Sequence, residues 1–556
     1  VVVCTPIGYE AQFAFVALRD LAIALTERTG ATVLRFDYDG CGDSAGTDED
    51  GERVPRWLAS VHAAIDELVR LAPSDGPLIL VGLRMGALLA ATVAATRKDV
   101  TGVALWAPCH SGRLFLRELR AFSGMAFASA TAAGAEKERW GEHGFEANGY
   151  VFTDDTVAGL ETLDLKSIAA PAPRLLVLDR SDITSRRTLP EHWRAPGAES
   201  AIQIDQRTVP GYAEMIMPPW LSKVPTEAIG AICAWVDTQR GAAPVNELPS
   251  LPAEVAATIA EGVEERALFY DAAQERFAVL TTPASAPATH VVVLITSTFG
   301  YRVGPNRMNV PAARRLARQG IATLRIDQDG AGESRHPNGK LPRIPYDLAA
   351  ADDVRMAVQL LVRRGYREVA LSGLCAGAFH AWYAADRSGD AVTRALLVNP
   401  GSFVPLPNYL ETSYIPVEGL PLWRHRLSQE KRLFGKAKIL AQRGIYIAGV
   451  GEKYARTLFP LLLQQDSPVT QLGRMGARGA RLSIIFSTGD ESVKRLRMAL
   501  GFRRESFLRK GWLSTAYIDG PDHNFTPRWA NRALLDAMER DLIAWYRGAA
   551  SRARPA

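Results

Sequence analysis

Residues Leu371-Ser372-Gly373-Leu374-Cys375-Ala376-Gly377 place a cysteine between two glycines where an apolar run gives way to helix-forming sequence. This spacing suits a strained strand-to-helix turn whose small flanking residues let the backbone pack closely and lift the central side chain above a sheet. The N-terminus of the following helix would lie beneath the sulfur and favour thiolate over thiol. A thiol nucleophile needs a proton acceptor, and His523 follows the strand-like run Ser514 to Ile518 in Gly520-Pro521-Asp522-His523. An imidazole in turn needs an orienting carboxylate, and Asp490 follows the run Leu482 to Phe486. Asp522 is the alternative, but adjacent side chains on one loop rarely face each other, which favours Asp490. In this scheme Cys375 attacks, His523 takes or holds the proton, and Asp490 fixes the ring tautomer and stabilises the imidazolium. The competing reading of Cys375 is a small buried hydrophobe. Its company of acid and histidine favours the nucleophile, whereas Cys4, Cys41, Cys109 and Cys233 lack such company and are read as buried.

The chain order nucleophile, acid, histidine, each after an apolar run, is that of the α/β-hydrolase fold, and residues 290–547 resemble a Cys-His-Asp member of that superfamily. The resemblance implies an oxyanion hole built from the backbone N–H of Ala376 and one from the loop Ser297-Thr298-Phe299-Gly300, with Phe299 as second donor. It also puts Thr298, Arg302 and Arg307 beside the site, where the arginines would meet a substrate carboxylate or phosphate or else be surface residues. Cysteine elbows also occur in dienelactone hydrolases and polyhydroxyalkanoate synthases, which use the same triad for lactone opening and for acyl transfer. No cofactor is called for, and the scattered cysteines lack metal-like spacing.

The elements that must hold these residues occur twice. Arg35-Phe36-Asp37-Tyr38-Asp39-Gly40-Cys41-Gly42-Asp43-Ser44 recurs as Arg325-Ile326-Asp327-Gln328-Asp329-Gly330-Ala331-Gly332-Glu333-Ser334. At nearly the same offset Ile7-Gly8-Tyr9 matches Phe299-Gly300-Tyr301, Gly82 to Gly86 matches Gly373 to Gly377, and Ala107-Pro108 matches Asn399-Pro400. Each copy alternates β-like runs with amphipathic helical stretches, the pattern of parallel strands covered by helices on both faces. The expected fold class is therefore α/β: two tandem α/β-hydrolase domains, each a mostly parallel sheet flanked by helices with a helical cap insertion. Residues 1–240 form the first domain, 241–262 the linker and 263–556 the catalytic domain. The resemblance implies caps at about 109–170 and 401–480. An antiparallel hairpin over Arg266 to Tyr270 and Arg276 to Leu280 is expected to lead into the second sheet. The chain opens at Val1-Val2-Val3 inside a strand-like run, so further residues are expected upstream.

Copy one reads as disarmed. Arg84 occupies the nucleophile position, and a guanidinium cannot attack a carbonyl. The acid position survives as Asp182, yet the histidine loop is Pro210-Gly211-Tyr212-Ala213-Glu214-Met215, with Tyr212 and no histidine. Residues 1–236 resemble the hydrolase-like proteins encoded with exosortase and exopolysaccharide systems. Arg84 is expected either to rigidify a vestigial pocket through a salt bridge, with Asp182 as candidate partner, or to hold an anionic group bidentately.

A chain of 556 residues with net charge +5 points to two globular domains and away from a dedicated nucleic-acid binder. No apolar run reaches the length of a membrane span and the cysteine usage suits a reducing compartment, so a cytoplasmic enzyme is expected. The expected function is acyl transfer through an acyl-cysteine formed from an ester or thioester, resolved by water or by an acceptor. The alternative is a non-catalytic scaffold built from a duplicated hydrolase fold, and a dehalogenase or epoxide hydrolase is disfavoured because those carry a carboxylate at the elbow. Basic tracts at Arg424 to Lys438 and Lys494 to Lys510 are either a solvated face or a docking site for an anionic acyl carrier such as coenzyme A or acyl carrier protein. The sequence leaves the oligomeric state open.

Overall fold

The computed structural model describes residues 1–130, 144–183, 193, 202–217, 222–239, 254–285, 287–297, 300–336, 345–406 and 466–552. The N-terminal half contains β1 (Val2–Cys4), β2 (Leu34–Arg35), β3 (Leu78–Leu83), β4 (Val100–Trp106), β5 (Gly144–Ala147), β6 (Tyr150–Thr153), β7 (Arg174–Arg180) and β8 (Gln203–Val209). The C-terminal half contains β9 (Val255–Ala260), β10 (Val263–Phe269), β11 (Phe277–Pro283), β12 (His290–Ile295), β13 (Ala322–Ile326), β14 (Glu368–Leu374), β15 (Val392–Val398), β16 (Arg481–Ser487) and β17 (Leu513–Ile518).

Apolar runs such as Val291-Val292-Val293-Leu294 are buried along their whole length, as strands covered on both faces by crossover helices require. The first sheet runs β2-β1-β3-β4-β7-β8 and the second β13-β12-β14-β15-β16-β17 over its parallel part, so the halves correspond strand for strand. The register repeats too: Gly82 of β3 lies opposite Cys4 and Leu105, and Gly373 of β14 opposite Ile295 and Leu397. Helices cover both faces of each sheet. In the second half Leu348–Arg363, Ala376–Arg387 and Pro468–Ala477 pack on one face, and Asn309–Arg318 and Arg528–Arg552 on the other.

Three expectations are corrected. The antiparallel segment is a three-stranded ladder β9-β10-β11 joined to β13, so residues assigned to the linker up to 262 already form β9. The first insertion is not purely helical, because β5 and β6 pair as a hairpin between helices Gly112–Ala130 and Asp154–Glu161. In the second insertion residues 407–465 lie outside the described residues, and Pro468–Ala477, counted with the cap, belongs to the sheet layer. Trp382 of the elbow helix donates to Gln471 there at 2.5 Å. Among the described residues no helix is long and apolar enough to cross a membrane.

Candidate active site

β14 ends at Leu374, Cys375 takes a positive φ of 56°, and the helix Ala376–Arg387 starts at once. The flanking glycines are demanded by close approach. A Cβ on Gly373 would lie 2.4 Å from the Gly377 backbone, and one on Gly377 would lie 2.5 Å from the Ile295 carbonyl oxygen. The turn therefore fits only with both side chains absent, which explains the pattern G-x-C-x-G. The crossovers from β14 leave the sulfur at the C-terminal edge of the central strands, where open α/β sheets place their sites.

His523, after β17, presents Nδ1 to Oδ2 of Asp490 at 2.7 Å, and its ring hydrogen-bonds Cys375. Asp490 caps the helix Glu491–Leu500, accepting from the Ser492 N–H at 2.8 Å and from its hydroxyl. Asp522 does not face the ring, because both its oxygens accept from Thr526 at 2.6 Å. The electrostatics follow. Burial works against ionising the Cys375 thiol, but hydrogen bonds from His523, Tyr346 and the Ala376 N–H outweigh it and bring the thiol below its ordinary value. Burial likewise opposes the His523 imidazolium, yet Asp490 and the Cys375 sulfur hold it, raising its pKa to about 10. Asp490 falls to about 2, since His523 and Ser492 outweigh its own desolvation. The contacts thus all push the same way, toward the ionised thiol and the protonated ring, with the carboxylate behind them.

Two contributing side chains escaped sequence reasoning. The Tyr346 hydroxyl stands 3.5 Å from Cys375 Sγ, in a space kept by Gly401, where a Cβ would sit 1.9 Å from that hydroxyl oxygen. Asn399 donates through Nδ2 to the His523 carbonyl at 2.8 Å and accepts through Oδ1 from the Ser487 N–H at 2.8 Å, tying the histidine loop to β16. Its signal was present in the repeat, where Asn399 of copy two corresponds to Ala107 of copy one.

Ala376 puts its backbone N–H at the sulfur, whereas Thr298 and Phe299 lie outside the described residues. Arg302 and Arg307 do not take the substrate-facing place suggested for them. Arg302 is buried and paired with Asp327 and with Asp43 of the other half, and Arg307 donates to the carbonyls of Gly42, Ser44 and Gly46. Of the second basic tract, Lys494 pairs with Glu491, Arg495 donates to the Gly401 carbonyl and Arg504 pairs with Glu505. The first tract, Arg424 to Lys438, lies outside the described residues.

In copy one Arg84 has the same strained conformation, with φ 57°. Its salt bridge exists, but with Glu10 at 2.9 Å and with Glu118 rather than with Asp182. Tyr212 donates to Glu10 at 2.8 Å, and Arg180, paired with Asp182, lies over the Tyr212 ring at 3.9 Å. This network takes the place that the triad has in the other half.

The strand order and the strand–elbow–helix turn give both halves the α/β-hydrolase fold. The family described as "Serine aminopeptidase, S33" matches residues 16–141 and again residues 304–432, one match to each half. The second match includes Cys375. Similar solved structures include a dienelactone hydrolase from Anabaena variabilis, 14% identical over 50% of this chain and 96% of that one, with a TM-score of 0.31. A cold-adapted esterase from an Arctic intertidal metagenomic library is 15% identical over 51% of this chain and 96% of its own, TM-score 0.29. A puromycin-hydrolyzing peptidase of Mycobacterium tuberculosis is 15% identical over 50% of this chain and 38% of its own, TM-score 0.31. No curated protein matches the chain.

Proposed function

We propose that the C-terminal half forms an acyl-cysteine on Cys375 from an ester or thioester. The observation that carries this reading is the continuous hydrogen-bonded run from Cys375 through His523 to Asp490. The thiolate attacks the carbonyl carbon, and the Ala376 N–H supports the developing oxyanion, with Phe299 as the expected second donor. The His523 imidazolium protonates the departing alcohol or thiol, leaving a neutral ring that serves as base when water or an acceptor attacks the acyl-cysteine. A thioester intermediate is nearly isoenergetic with a thioester donor, which favours activated acyl substrates over unactivated peptides.

Acyl groups on anionic carriers, such as coenzyme A or an acyl carrier protein, suit the exposed cations Lys494, Arg497, Arg503, Arg509 and Lys510, which begin four residues after Asp490. Intact-mass spectrometry after mixing with an acyl-thioester and an activated ester tests both parts. A stable or transient acyl adduct at Cys375, absent in Cys375→Ala, supports the mechanism. Labelling elsewhere, with turnover intact in Cys375→Ala, ends it. Glutamine at Lys494, Arg497 and Arg503 is expected to raise KM for the coenzyme A thioester and spare a small neutral ester, and equal effects on both would remove the carrier from the proposal.

A further inference from the structure

The motif R-x-D-x-D-G-x-G-[DE]-S touches neither triad nor substrate site, yet both copies keep it. Its internal construction is the same in each. Asp37 accepts from the Asp43 N–H at 2.9 Å and Asp327 from the Glu333 N–H at 2.9 Å. Ser44 and Ser334 return their hydroxyls to the carbonyls of Asp37 and Asp327, each at 2.7 Å. Gly42 and Gly332 have φ of 47° and 51°, and a Cβ on either would fall within 2.1 Å of that aspartate's carboxylate. The result is a rigid turn that presents its last acid and a row of carbonyls outward.

What meets those groups is the other half. Arg35 of the first motif pairs with Glu333 of the second, and Arg325 of the second pairs with Asp43 of the first. Arg19 donates to the carbonyl of Gly332 at 2.8 Å, while Arg307 donates to that of Gly42 at 2.7 Å. In the Arg35–Glu333 and Arg325–Asp43 pairs, residue i of one half contacts j of the other and the counterpart of i contacts the counterpart of j, while Arg19 and Arg307, not counterparts themselves, grip the equivalent glycines. That reciprocity is the signature of an isologous, two-fold interface.

The interface grips one loop of the catalytic half. This loop leaves β12 where the Ile295 carbonyl packs against Gly377 of the elbow. Beyond Gly300, Tyr301 stacks on Phe15 with centroids 4.0 Å apart, and Arg35 lies over the Phe15 ring at 5.2 Å. Arg302 bonds Asp327 and reaches Asp43 at 2.6 Å. Arg307 completes the grip on the carbonyls of Gly42, Ser44 and Gly46.

We propose that the repeated motif docks the two halves as a covalently linked pseudo-dimer, through which the degenerate half positions residues 300–308, just downstream of the point where Ile295 packs on the elbow. Phe15, Arg35, Asp43 and Arg307 are positioning residues, since they act on that loop and not on substrate. The catalytic consequence rests on the acyl-cysteine reading above, while the docking itself does not. The test uses the full chain with Arg35→Glu, Glu333→Arg and the double reversal, together with Phe15→Ala. Hydrogen exchange of the 300–308 segment is expected to quicken in the single variants and return toward the parent rate in the double reversal. With an activated ester, kcat is expected to fall about tenfold in the single variants, as a displaced oxyanion loop predicts. The alkylation rate of Cys375 by iodoacetamide should stay unchanged, because it needs only the thiolate. Parent-like exchange in all variants, or a double reversal no better than the singles, overturns the docking. Quickened exchange with kcat unchanged overturns the positioning role, and a parent protein that forms no acyl adduct indicts the acyl-cysteine reading while the exchange result still decides the dock.

Discussion

Asp490→Asn isolates the charge behind the histidine. The replacement keeps a side chain that caps the helix Glu491–Leu500 nearly as well as aspartate, so the fold is expected to survive. What is lost is the anion that accepts from His523 at 2.7 Å. The Asp490 carboxyl is held at about 2 against an ordinary 3.8, although burial opposes this. That difference of about two units corresponds to about 2–3 kcal/mol. Ser492 shares in it, and the His523 side chain is 36% exposed, so screening leaves about 1–2 kcal/mol for the imidazolium. The thiolate–imidazolium population should therefore drop about 5- to 30-fold, and the Cys375 thiol should titrate about one unit higher. The assay is the pH dependence of Cys375 alkylation by iodoacetamide, followed by mass spectrometry, in parent and variant. An unmoved midpoint with an unchanged plateau would refute the assignment of Asp490 as the orienting acid.

Activity against an activated ester should follow a bell in pH, with its acid limb below the range of a free thiol and its alkaline limb near 10, where the His523 proton is lost. The same groups set stability. Asp490, lowered to about 2, stabilises above its ordinary 3.8, and that contribution disappears as pH falls toward 2; His523, raised to about 10, stabilises below 6.5, and that contribution disappears as pH rises through 10. Melting curves of parent and Asp490→Asn should converge at both extremes. At neutral pH iodoacetamide should modify Cys375 first, since burial pushes Cys4 up to about 12 and also raises Cys41 and Cys233; peptide mapping reads the order. Arg84→Ser should give no acyl adduct at position 84, since Tyr212 holds the histidine place, and should destabilise the first half by about 3–5 kcal/mol by leaving Glu10 buried without its cation, which denaturant unfolding measures.

The duplication and the strand order were legible because they are written in local signals: apolar runs of strand length, glycines where backbones touch, and a ten-residue motif repeated intact. That Cys375, Asp490 and His523 meet could be read from chain order, because each sits just after a strand and a parallel sheet gathers such ends at one edge. Copy one could be read as disarmed from Arg84 alone, since no environment turns a guanidinium into a nucleophile. The sequence could not say which carboxylates Arg84 meets. Glu10 and Glu118 reach it from two separate helices, and no spacing encodes that approach. Tyr346 was hidden for the same reason, its role depending on a hydroxyl arriving across the fold, while Asn399 was visible only as the place where the repeat differs. Arg302 and Arg307 lay beside the site in sequence but face the other half in space, because the charges that attract them, Asp43 and the carbonyls of Gly42 to Gly46, lie more than 250 residues away along the chain. Residue type and local pattern determined the sheet, the elbow and the chemistry available. Only tertiary packing decided which buried charge answers which, since that choice is made by long-range contacts between groups that burial forbids to remain unpaired.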